Sequence, residues 1–310
     1  MVRGFPLRLA GLAGFAGLLI ACSAATVAVS PASAATQPHW SSAKLVPGVG
    51  GDWSEPFAVS CTGPGDCTAG GEYGPDEPYT QSLPFVANEA SGTWRSALEV
   101  PGTSALNVKG SAEVDAVNCP VARDCAAAGD YLSKSGAAQF FVVYETAGTW
   151  RSAIEVPGLA RLGSGADLAG AVIAGVSCAP ATCEVGGTMN SNGVGGRVGV
   201  QVGEVGGRWG APHPVPGTDS VVSSLSCPAA GDCAAGGTAG SPSDGVHGIV
   251  LDQVNGTWDK PVTVAPSVWD MTGEVTALSC AAARNCAAVG FLPEGWGGGP
   301  AAAVAVEAPS

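Results

Sequence analysis

The feature that most constrains the fold of this chain is a unit of four elements that recurs five times in 310 residues. Each unit begins with a tryptophan, usually in Gly-x-Trp. A Val-Pro-Gly or similar proline turn follows, then a pair of cysteines, then a stretch of alanine and glycine before an apolar run. A repeat of this length predicts a fold assembled from copies of one supersecondary structure. The five cysteine pairs are Cys61/Cys67, Cys119/Cys125, Cys178/Cys183, Cys227/Cys233 and Cys280/Cys286.

Within each unit the pattern predicts four short strands, A to D, with strand A ending at the first cysteine and strand B beginning at the second. Turn residues separate the strands, and no helix-length periodic pattern lies between them. Glycine (47 residues) and proline (23 residues) are too abundant for a helical bundle. We therefore expect an all-β, five-bladed β-propeller of four-stranded antiparallel blades. In the second unit the strands are Val114 to Cys119, Cys125 to Tyr131, Phe140 to Glu145 and Trp150 to Val156.

The two ends of the repeat array predict a closed ring. The array begins with a D strand, Trp40 to Val46, and ends with a C strand, Ala302 to Glu307. We expect the N-terminal strand to complete the last blade, a 1+3 splice that leaves no sheet edge open. A single propeller domain then spans residues 40–309, preceded by a short linker at residues 35–39.

The order of strands and the Gly-x-Trp turn resembles the BNR/Asp-box repeats of sialidase-like propellers. It also resembles the Cys-pair propeller repeats of secreted actinobacterial proteins, over roughly residues 40–309. Glu89-Ala90-Ser91-Gly92-Thr93-Trp94 lacks the aspartate of the Asp-box pattern S-x-D-x-G-x-T-W. The resemblance implies the fold but not sialidase activity, which needs an arginine triad. Only seven arginines follow residue 34, and Arg95 and Arg151 belong to the repeat.

The first 34 residues have the features of an export signal. Two arginines precede an apolar stretch at Leu9 to Ile20, and Ala32-Ser33-Ala34 fits a cleavage site. Two alternatives stay open: Leu19-Ile20-Ala21-Cys22 resembles a lipobox that would be lipidated at Cys22, and Leu9 to Val29 is nearly long enough for an uncleaved anchor. All three place the rest of the chain outside the cytosol. We expect a secreted, extracellular protein or, alternatively, a cell-surface lipoprotein.

We expect ten of the eleven cysteines to form disulfides within their pairs. Disulfides persist in exported chains. Each pair spans an A–B hairpin, where facing Cα atoms lie about 5.5 Å apart or less. Zinc binding or redox catalysis would favour the spacing C-x2-C, whereas this chain has C-x5-C and C-x4-C. The three scattered histidines offer no His-rich metal site, so no metal and no cofactor is expected.

Composition and motifs limit the partners of the protein. A net charge of −13 disfavours nucleic-acid binding, which needs a basic surface. The sequence contains no G-x-S-x-G, P-loop, H-E-x-x-H or EF-hand motif. We expect a monomer that contacts a membrane only through a lipid at Cys22, if that residue is retained.

Unrepeated aromatic and acidic residues concentrate in the loops of one propeller face. The cysteine turns and Gly-x-Trp turns fall on one face, and the variable B–C and D–A loops fall on the other. Flat aromatic side chains beside carboxylates suit sugar rings. Asp130 shares a predicted B–C loop with Tyr131. The predicted binding residues are Asp52, Trp53, Tyr73, Asp76, Glu77, Tyr79, Tyr131, Trp269, Asp270 and Trp296.

These features predict an exported, non-catalytic binding propeller with a glycan or protein ligand on the variable-loop face. One alternative is a glycoside-active enzyme that uses two or three carboxylates near the propeller axis. Another is a structural or assembly-factor role. The enzyme is placed second because no pair of acids stands out as unrepeated and central. The fold alone does not decide between these functions.

Overall fold

The computed structural model describes most of the chain from residue 45 onward. The chain divides into two units, residues 1–44 and 45–310, and all of the strands lie in the second unit. Among the described residues, no helix has the length and apolar character needed to cross a membrane. The described residues are 42–43, 45–49, 53–75, 81–108, 110–162, 171–179, 181–190, 196–216, 219–241, 245–267, 272–293 and 300–307.

The protein is an all-β propeller built from repeated four-stranded antiparallel sheets. In blade 1 the strand order is β1-β2-β3-β4, and β5 also pairs with β3, so β4 and β5 are two pieces of one outer strand. Trp94 lies opposite Glu89, but Leu98 lies opposite Val86, so one extra residue bulges between the pieces. The strands are β1 (Trp53–Gly63), β2 (Asp66–Gly74), β3 (Leu83–Ala90), β4 (Thr93–Trp94) and β5 (Leu98–Glu99).

Blades 2 to 4 repeat this arrangement, and a four-residue helix and a 3-10 turn lie in the connections. Blade 2 follows α1 (Thr103–Leu106) and contains β6 (Ala116–Val121), β7 (Asp124–Leu132), β8 (Ala138–Thr146), β9 (Thr149–Trp150) and β10 (Ile154–Glu155). Blade 3 follows a 3-10 turn (Leu159–Arg161) and contains β11 (Ala171–Ala179), β12 (Thr182–Asn190), β13 (Arg197–Val205), β14 (Arg208–Trp209) and β15 (His213–Pro214). Blade 4 contains β16 (Val221–Ala229), β17 (Asp232–Ser241), β18 (Gly245–Val254), β19 (Thr257–Trp258) and β20 (Val262–Ala265).

Blade 5 has three strands among the described residues. They are β21 (Glu274–Ala282), β22 (Asn285–Pro293) and β23 (Pro300–Val306). Of the segment predicted to supply its fourth strand, Trp40 to Val46, residues 42–43 and 45–46 are described, and they form no strand. The carbonyl of Pro47 accepts a hydrogen bond from the amide of Ala97 at 2.7 Å, as Pro101 does from Ala153 at 2.6 Å. The end of this segment therefore meets blade 1 as the end of blade 1 meets blade 2, and ring closure stays a prediction.

The first strand of each blade lies innermost, because β1, β6, β11, β16 and β21 pack against one another in succession. In blades 1, 3, 4 and 5 the inner strand carries a bulge near its start, opposite a glycine of the second strand. A Cβ on Gly71 would lie 2.0 Å from the carbonyl oxygen of Glu55, and one on Gly129 would lie 1.8 Å from that of Glu113. Only glycine allows this approach, so the bulge and glycine fix the positions of the flanking side chains.

Apolar side chains from neighbouring blades form the core. Phe141 and Val143 belong to the cluster between blades 1 and 2, while Phe140 and Met189 belong to the cluster between blades 2 and 3. Trp150, Trp209 and Trp258 each pack at the edge of one such cluster. These three repeated tryptophans are thus partly buried against the apolar clusters between blades.

A disulfide closes the hairpin between the first and second strands of every blade. All five predicted disulfides are confirmed, with Cα–Cα distances of 4.0 to 4.1 Å. The bridges are Cys61–Cys67, Cys119–Cys125, Cys178–Cys183, Cys227–Cys233 and Cys280–Cys286.

The second cysteine of each bridge differs from the prediction in its place along the strand. The second strand was expected to begin at this cysteine, whereas β12 begins one residue before Cys183 and β22 begins one residue before Cys286. The reason is that the ladder continues past the disulfide toward the turn, as in the pairing of Ala179 with Thr182. Cys183 and Cys286 are therefore buried strand residues, with 7% and 9% of their surface exposed, rather than the first residues after a turn.

Hydrogen bonds join the inner strands of successive blades. At each of four consecutive joints, the first cysteine of one blade donates its amide N–H to the side chain that precedes the first cysteine of the previous blade. These bonds are Cys119 to Ser60 (3.0 Å), Cys178 to Asn118 (2.9 Å), Cys227 to Ser177 (3.0 Å) and Cys280 to Ser226 (3.1 Å).

Candidate active site

Two positions of each blade lie directly opposite one another at the start of the inner strand and the end of the second strand. One is six residues before the first cysteine, and the other is five residues after the second. In blade 1 these residues are Glu55 and Glu72. In blade 2 they are Glu113 and Asp130, where the amide of Glu113 donates to the carbonyl of Asp130 at 3.2 Å. This end of the blades carries the variable B–C and D–A loops.

Only blades 1 and 2 have an acid at both positions. Like charges directly opposite each other in an antiparallel ladder are destabilising. The fold itself gives no reason for them, because three other blades form the same ladder without an acid pair. The equivalent pairs are Val172/Thr188, Val221/Thr238 and Glu274/Phe291.

A fifth acid, Asp115, joins these four, and together they form the carboxylate cluster (Glu55, Glu72, Glu113, Asp115 and Asp130). Carboxylate oxygens of Glu113, Asp115 and Asp130 lie within 4.8 Å of one another. Exposure falls through the cluster: Glu55 is exposed, the next three are half-buried, and Asp130 is 0% exposed. The cluster thus extends from the surface of the variable-loop face into the interior.

Burial and mutual repulsion raise the pKa values in the cluster. Burial raises the pKa of Glu113 to about 7, and the charges of Glu72 and Glu55 add to this effect. Burial, followed by the charges of neighbouring acids, also raises the pKa values of Asp115 and Asp130. The pKa of Glu72 is raised by burial, partly opposed by a hydrogen bond from Ser82. No lysine or arginine of the described residues is among the groups that shift these four pKa values.

The interior of the cluster holds carboxylate oxygens without protein partners. Neither carboxylate oxygen of Asp130 has a hydrogen-bond partner among the described residues, and Oδ2 of Asp115 has none either. The backbone amide of Asp130 does hydrogen-bond to the Asp115 carboxylate. Buried polar groups are normally hydrogen-bonded, so these oxygens are available to a ligand, a proton or an ion.

Three of the residues predicted to bind a ligand lie in the described part of the chain. Trp53 is half-buried at the start of β1, and its Nε1 donates to the carbonyl of Pro75 at 2.8 Å. Tyr73 donates its hydroxyl to Glu99 (3.4 Å), and Tyr131 donates to Glu155 (2.8 Å). The two tyrosines thus link the second strand of a blade to its outer strand. Tyr131 is 1% exposed, so its ring offers no open face to a ligand.

The other predicted binding residues lie outside the described residues, as does Cys22. The structure brings Trp53 close along β1 to Glu55, two residues away and therefore on the same face of the strand. Binding by the predicted set stays a prediction. The residues outside the described ranges are Asp52, Asp76, Glu77, Tyr79, Trp269, Asp270 and Trp296.

Sequence reasoning missed most of the carboxylate cluster. It predicted a strand from Cys125 to Tyr131 but counted Asp130 among the residues of the B–C loop, whereas the structure places Asp130 within β7 with no exposed surface. The signal was present once the repeats are aligned on their cysteines. From blade 1 to blade 5, the position six residues before the first cysteine is occupied by Glu, Glu, Val, Val and Glu. The position five residues after the second cysteine is occupied by Glu, Asp, Thr, Thr and Phe. Both columns show acids together only in blades 1 and 2.

Solved structures resemble the chain in fold at low sequence identity. A protein of unknown function from Dyadobacter fermentans matches with a TM-score of 0.51 at 11% identity, covering 81% of this chain and 78% of that one. A Hadza microbial sialidase matches at 0.49 and 9% identity, covering 76% and 52%, and the NanB sialidase of Streptococcus pneumoniae at 0.46 and 8%, covering 85% and 60%. The chain thus spans about half the length of the Hadza sialidase. No protein-family model and no curated protein matches the chain.

The prediction of a non-catalytic binding propeller is corrected, because the argument on which it rested does not hold. Sialidases and neuraminidase-like proteins are among the neighbours in fold, and at this identity they show the fold alone. The sequence argument against an enzyme was that no acid pair is unrepeated and central. The structure removes that argument, because Glu55 and Glu72 lie opposite each other at the inner end of blade 1.

Proposed function

We propose that the protein is an exported glycoside hydrolase that uses carboxylates of the carboxylate cluster. The observation that carries this proposal is the pair Glu55 and Glu72, which face each other where the innermost and second strands of blade 1 meet the variable-loop face. Facing Cβ atoms in such a pair lie about 5 Å apart and project to the same side of the sheet. Glycoside hydrolysis uses two carboxyl groups held a short distance apart, and this pairing brings two of them together on one face.

The two carboxylates differ in exposure, which assigns them different roles. Glu55 is exposed, so a substrate can reach it. Burial raises the pKa of the half-buried Glu72, opposed in part by the hydrogen bond from Ser82, and the charge of Glu55 raises it further, so its protonated form is favoured. Glu72 is therefore the proton donor to the glycosidic oxygen, and Glu55 is the base or nucleophile on the other side of the bond. Trp53, on the same face of β1, supplies an aromatic surface for a sugar ring.

The proposal also includes the location of the protein outside the cytosol. Five disulfides suit an oxidising compartment, which supports export by the N-terminal signal. The product would be a secreted protein like the Cys-pair propellers of actinobacteria that its repeats resemble, or, alternatively, a surface lipoprotein through Cys22. A glycan outside the cell is then the substrate class.

Hydrolysis by the purified chain tests the proposal. Release of reducing sugar is measured on a panel of polysaccharides, and release of the aryl group on aryl glycosides that include sialosides and arabinofuranosides. We expect turnover of at least one substrate, and a loss of 100-fold or more in kcat/KM for Glu55→Gln and for Glu72→Gln. Glu89→Gln is the matched control, because Glu89 lies at the far end of blade 1 beside the Gly-Thr-Trp turn.

Two results would contradict the proposal. Absence of turnover across the whole panel would remove the hydrolase function. Turnover that survives both substitutions would move the chemistry to other residues of the protein.

A further inference from the structure

The inner part of the carboxylate cluster concentrates negative charge, and none of its acids forms an ion pair with a described lysine or arginine. Glu113 and Asp115 lie just before β6, the inner strand of blade 2, and Asp130 lies near the end of β7, the strand beside it. The ion pair found among the described residues joins Arg197 to Asp219, and it lies in blade 3 and its outgoing loop rather than in the cluster. Burying uncompensated carboxylates is costly, so either protons or a bound cation must neutralise them.

The hydrogen bonding of Asp130 favours the cation. A buried carboxylic acid has an O–H that needs an acceptor and a C=O that needs a donor. Asp130 is 0% exposed, and both of its carboxylate oxygens lack a protein partner. Oδ2 of Asp115 lacks one as well. A metal ion is bound by oxygen lone pairs alone, and these three atoms supply lone pairs with no donor directed at them.

The spacing of the oxygens allows one ion to contact all three carboxylates, and their chemistry suits a hard cation. Ligand oxygens of Glu113, Asp115 and Asp130 lie no more than 4.8 Å from one another. Calcium binds carboxylate oxygens at about 2.4 Å and accepts irregular arrangements of them. Magnesium holds them at about 2.1 Å in strict octahedral geometry, and zinc prefers nitrogen and sulfur ligands.

We infer that Glu113, Asp115 and Asp130 form a binding site for one calcium-like divalent cation at the inner end of blade 2. The remaining ligands would be water molecules, which calcium sites accept readily. This inference does not depend on glycoside hydrolysis, because it assigns no role to Glu55 or Glu72. It differs from the sequence analysis, which expected no metal.

The bound cation would hold two segments of blade 2 together. Glu113 and Asp115 belong to the segment that enters blade 2, and Asp130 belongs to the second strand of that blade. An ion that all three contact ties the entering segment to the sheet and cancels their repulsion. Binding therefore stabilises the folded chain, since an unfolded chain does not hold the three carboxylates together.

Thermal unfolding of the full chain, stripped with EDTA, tests the inference. We expect CaCl2 to raise Tm by about 5 °C when the calcium is about 100-fold above its Kd. MgCl2 at the same concentration should raise Tm less. Isothermal titration should give one high-affinity calcium per chain. No calcium-dependent rise in Tm, or a stoichiometry of zero, would overturn the inference and leave protons as the neutralising species.

Asp130→Asn separates this site from any other calcium site. The substitution keeps the shape of the side chain but removes a buried charge, so Tm in EDTA should rise while the calcium-dependent increase disappears. Glu274→Gln is the matched control, because Glu274 occupies the position of Glu113 in blade 5 without an acid opposite it. A full calcium response in Asp130→Asn would place the ion elsewhere. If that variant does not fold, Asp115→Asn is expected to give the same loss of calcium response.

Discussion

Blades 2 and 3 have the same arrangement of strands, but the residue five positions after the second cysteine differs between them in its hydrogen bonding. Thr188 of blade 3 donates its hydroxyl to the carbonyl of Val222 (3.3 Å) and accepts from the Val222 amide (3.0 Å), so it fastens blade 3 to blade 4. Asp130 occupies the equivalent position of blade 2, and both of its carboxylate oxygens lack a partner. One position of the repeat is thus a structural link in blade 3 and an unsatisfied carboxylate in blade 2. The fold therefore accepts an unsatisfied carboxylate in blade 2 at a position where blade 3 gains stability from hydrogen bonds.

Exchanging the two residues should give the largest effect. Thr188→Asp removes the hydroxyl that donates to the Val222 carbonyl and buries a carboxylate in blade 3, where Val172 stands in the place of Glu113. We expect it to lower the free energy of unfolding by about 3–5 kcal/mol, the usual cost of an uncompensated buried charge. Urea denaturation followed by tryptophan fluorescence measures the change.

The reverse exchange is the control for this prediction. Asp130→Thr should stabilise the metal-free protein, because it replaces an unpartnered carboxylate by a smaller uncharged group. Two results would contradict the comparison: a Thr188→Asp variant as stable as the wild type, or an Asp130→Thr variant less stable than the wild type without metal. Either would mean that this position does not stabilise blade 3 while destabilising metal-free blade 2.

The dependence of stability on pH should be smaller and should come from blade 2. The pKa of Glu113 is raised in the folded state to about 7 from an ordinary value of 4.5, and those of Asp115 and Asp130 are raised as well. A folded state that binds protons more tightly than the unfolded state is favoured at low pH. This contribution is therefore complete below pH 4.5 and is lost as the pH rises through 7.

Urea midpoints in EDTA at pH 5 and pH 8 measure this contribution. We expect the metal-free wild type to lose on the order of 1–2 kcal/mol over this range, after allowance for solvent screening. Glu113→Gln with Asp130→Asn should lose most of the slope, whereas Glu274→Gln should keep it. An equal slope in the double variant would show that other groups titrate.

The comparison of blades also separates what the sequence could predict from what it could not. The cysteine pairs and the first three strands of each blade follow from short-range patterns, because turn residues and apolar runs alternate at fixed spacing. The one-residue bulge between Trp94 and Leu98 depends on register, and no residue type marks it. Hence the outer strand was expected to be continuous and is in two pieces.

The site was missed for a related reason. Sequence reasoning looked for function in unrepeated loops, but Glu72 and Asp130 are strand residues at repeated positions. Their importance depends on which residues lie opposite them, and this is set by the bulge and by Gly71 and Gly129. At these two positions the other blades carry valine, threonine or phenylalanine, apart from Glu274 of blade 5, so two acids face each other only in blades 1 and 2.

The joint between blades 5 and 1 contrasts with the other four, and it gives the smallest predicted effect. Ser177 accepts the amide N–H of Cys227 at 3.0 Å, a bond that recurs at four consecutive joints. Ser279 precedes Cys280 as Ser177 precedes Cys178, and it is exposed. The residues that would complete a fifth bond, Ser279 and the amide of Cys61, are thus both present in the sequence.

If the ring closes as the repeat array predicts, Ser279 accepts the amide N–H of Cys61 and Ser279→Ala leaves that donor unsatisfied. We then expect Ser279→Ala to cost about 1 kcal/mol in the free energy of unfolding, as Ser177→Ala should. Thr276→Ala on the same strand is the control, since its hydroxyl bonds within blade 5 to the carbonyl of Val289 at the exposed surface. A loss for Ser177→Ala with none for Ser279→Ala would mean that blades 5 and 1 do not meet as the other blades do. The segment ending at Pro47 would then cover the edge of blade 1 without closing the ring.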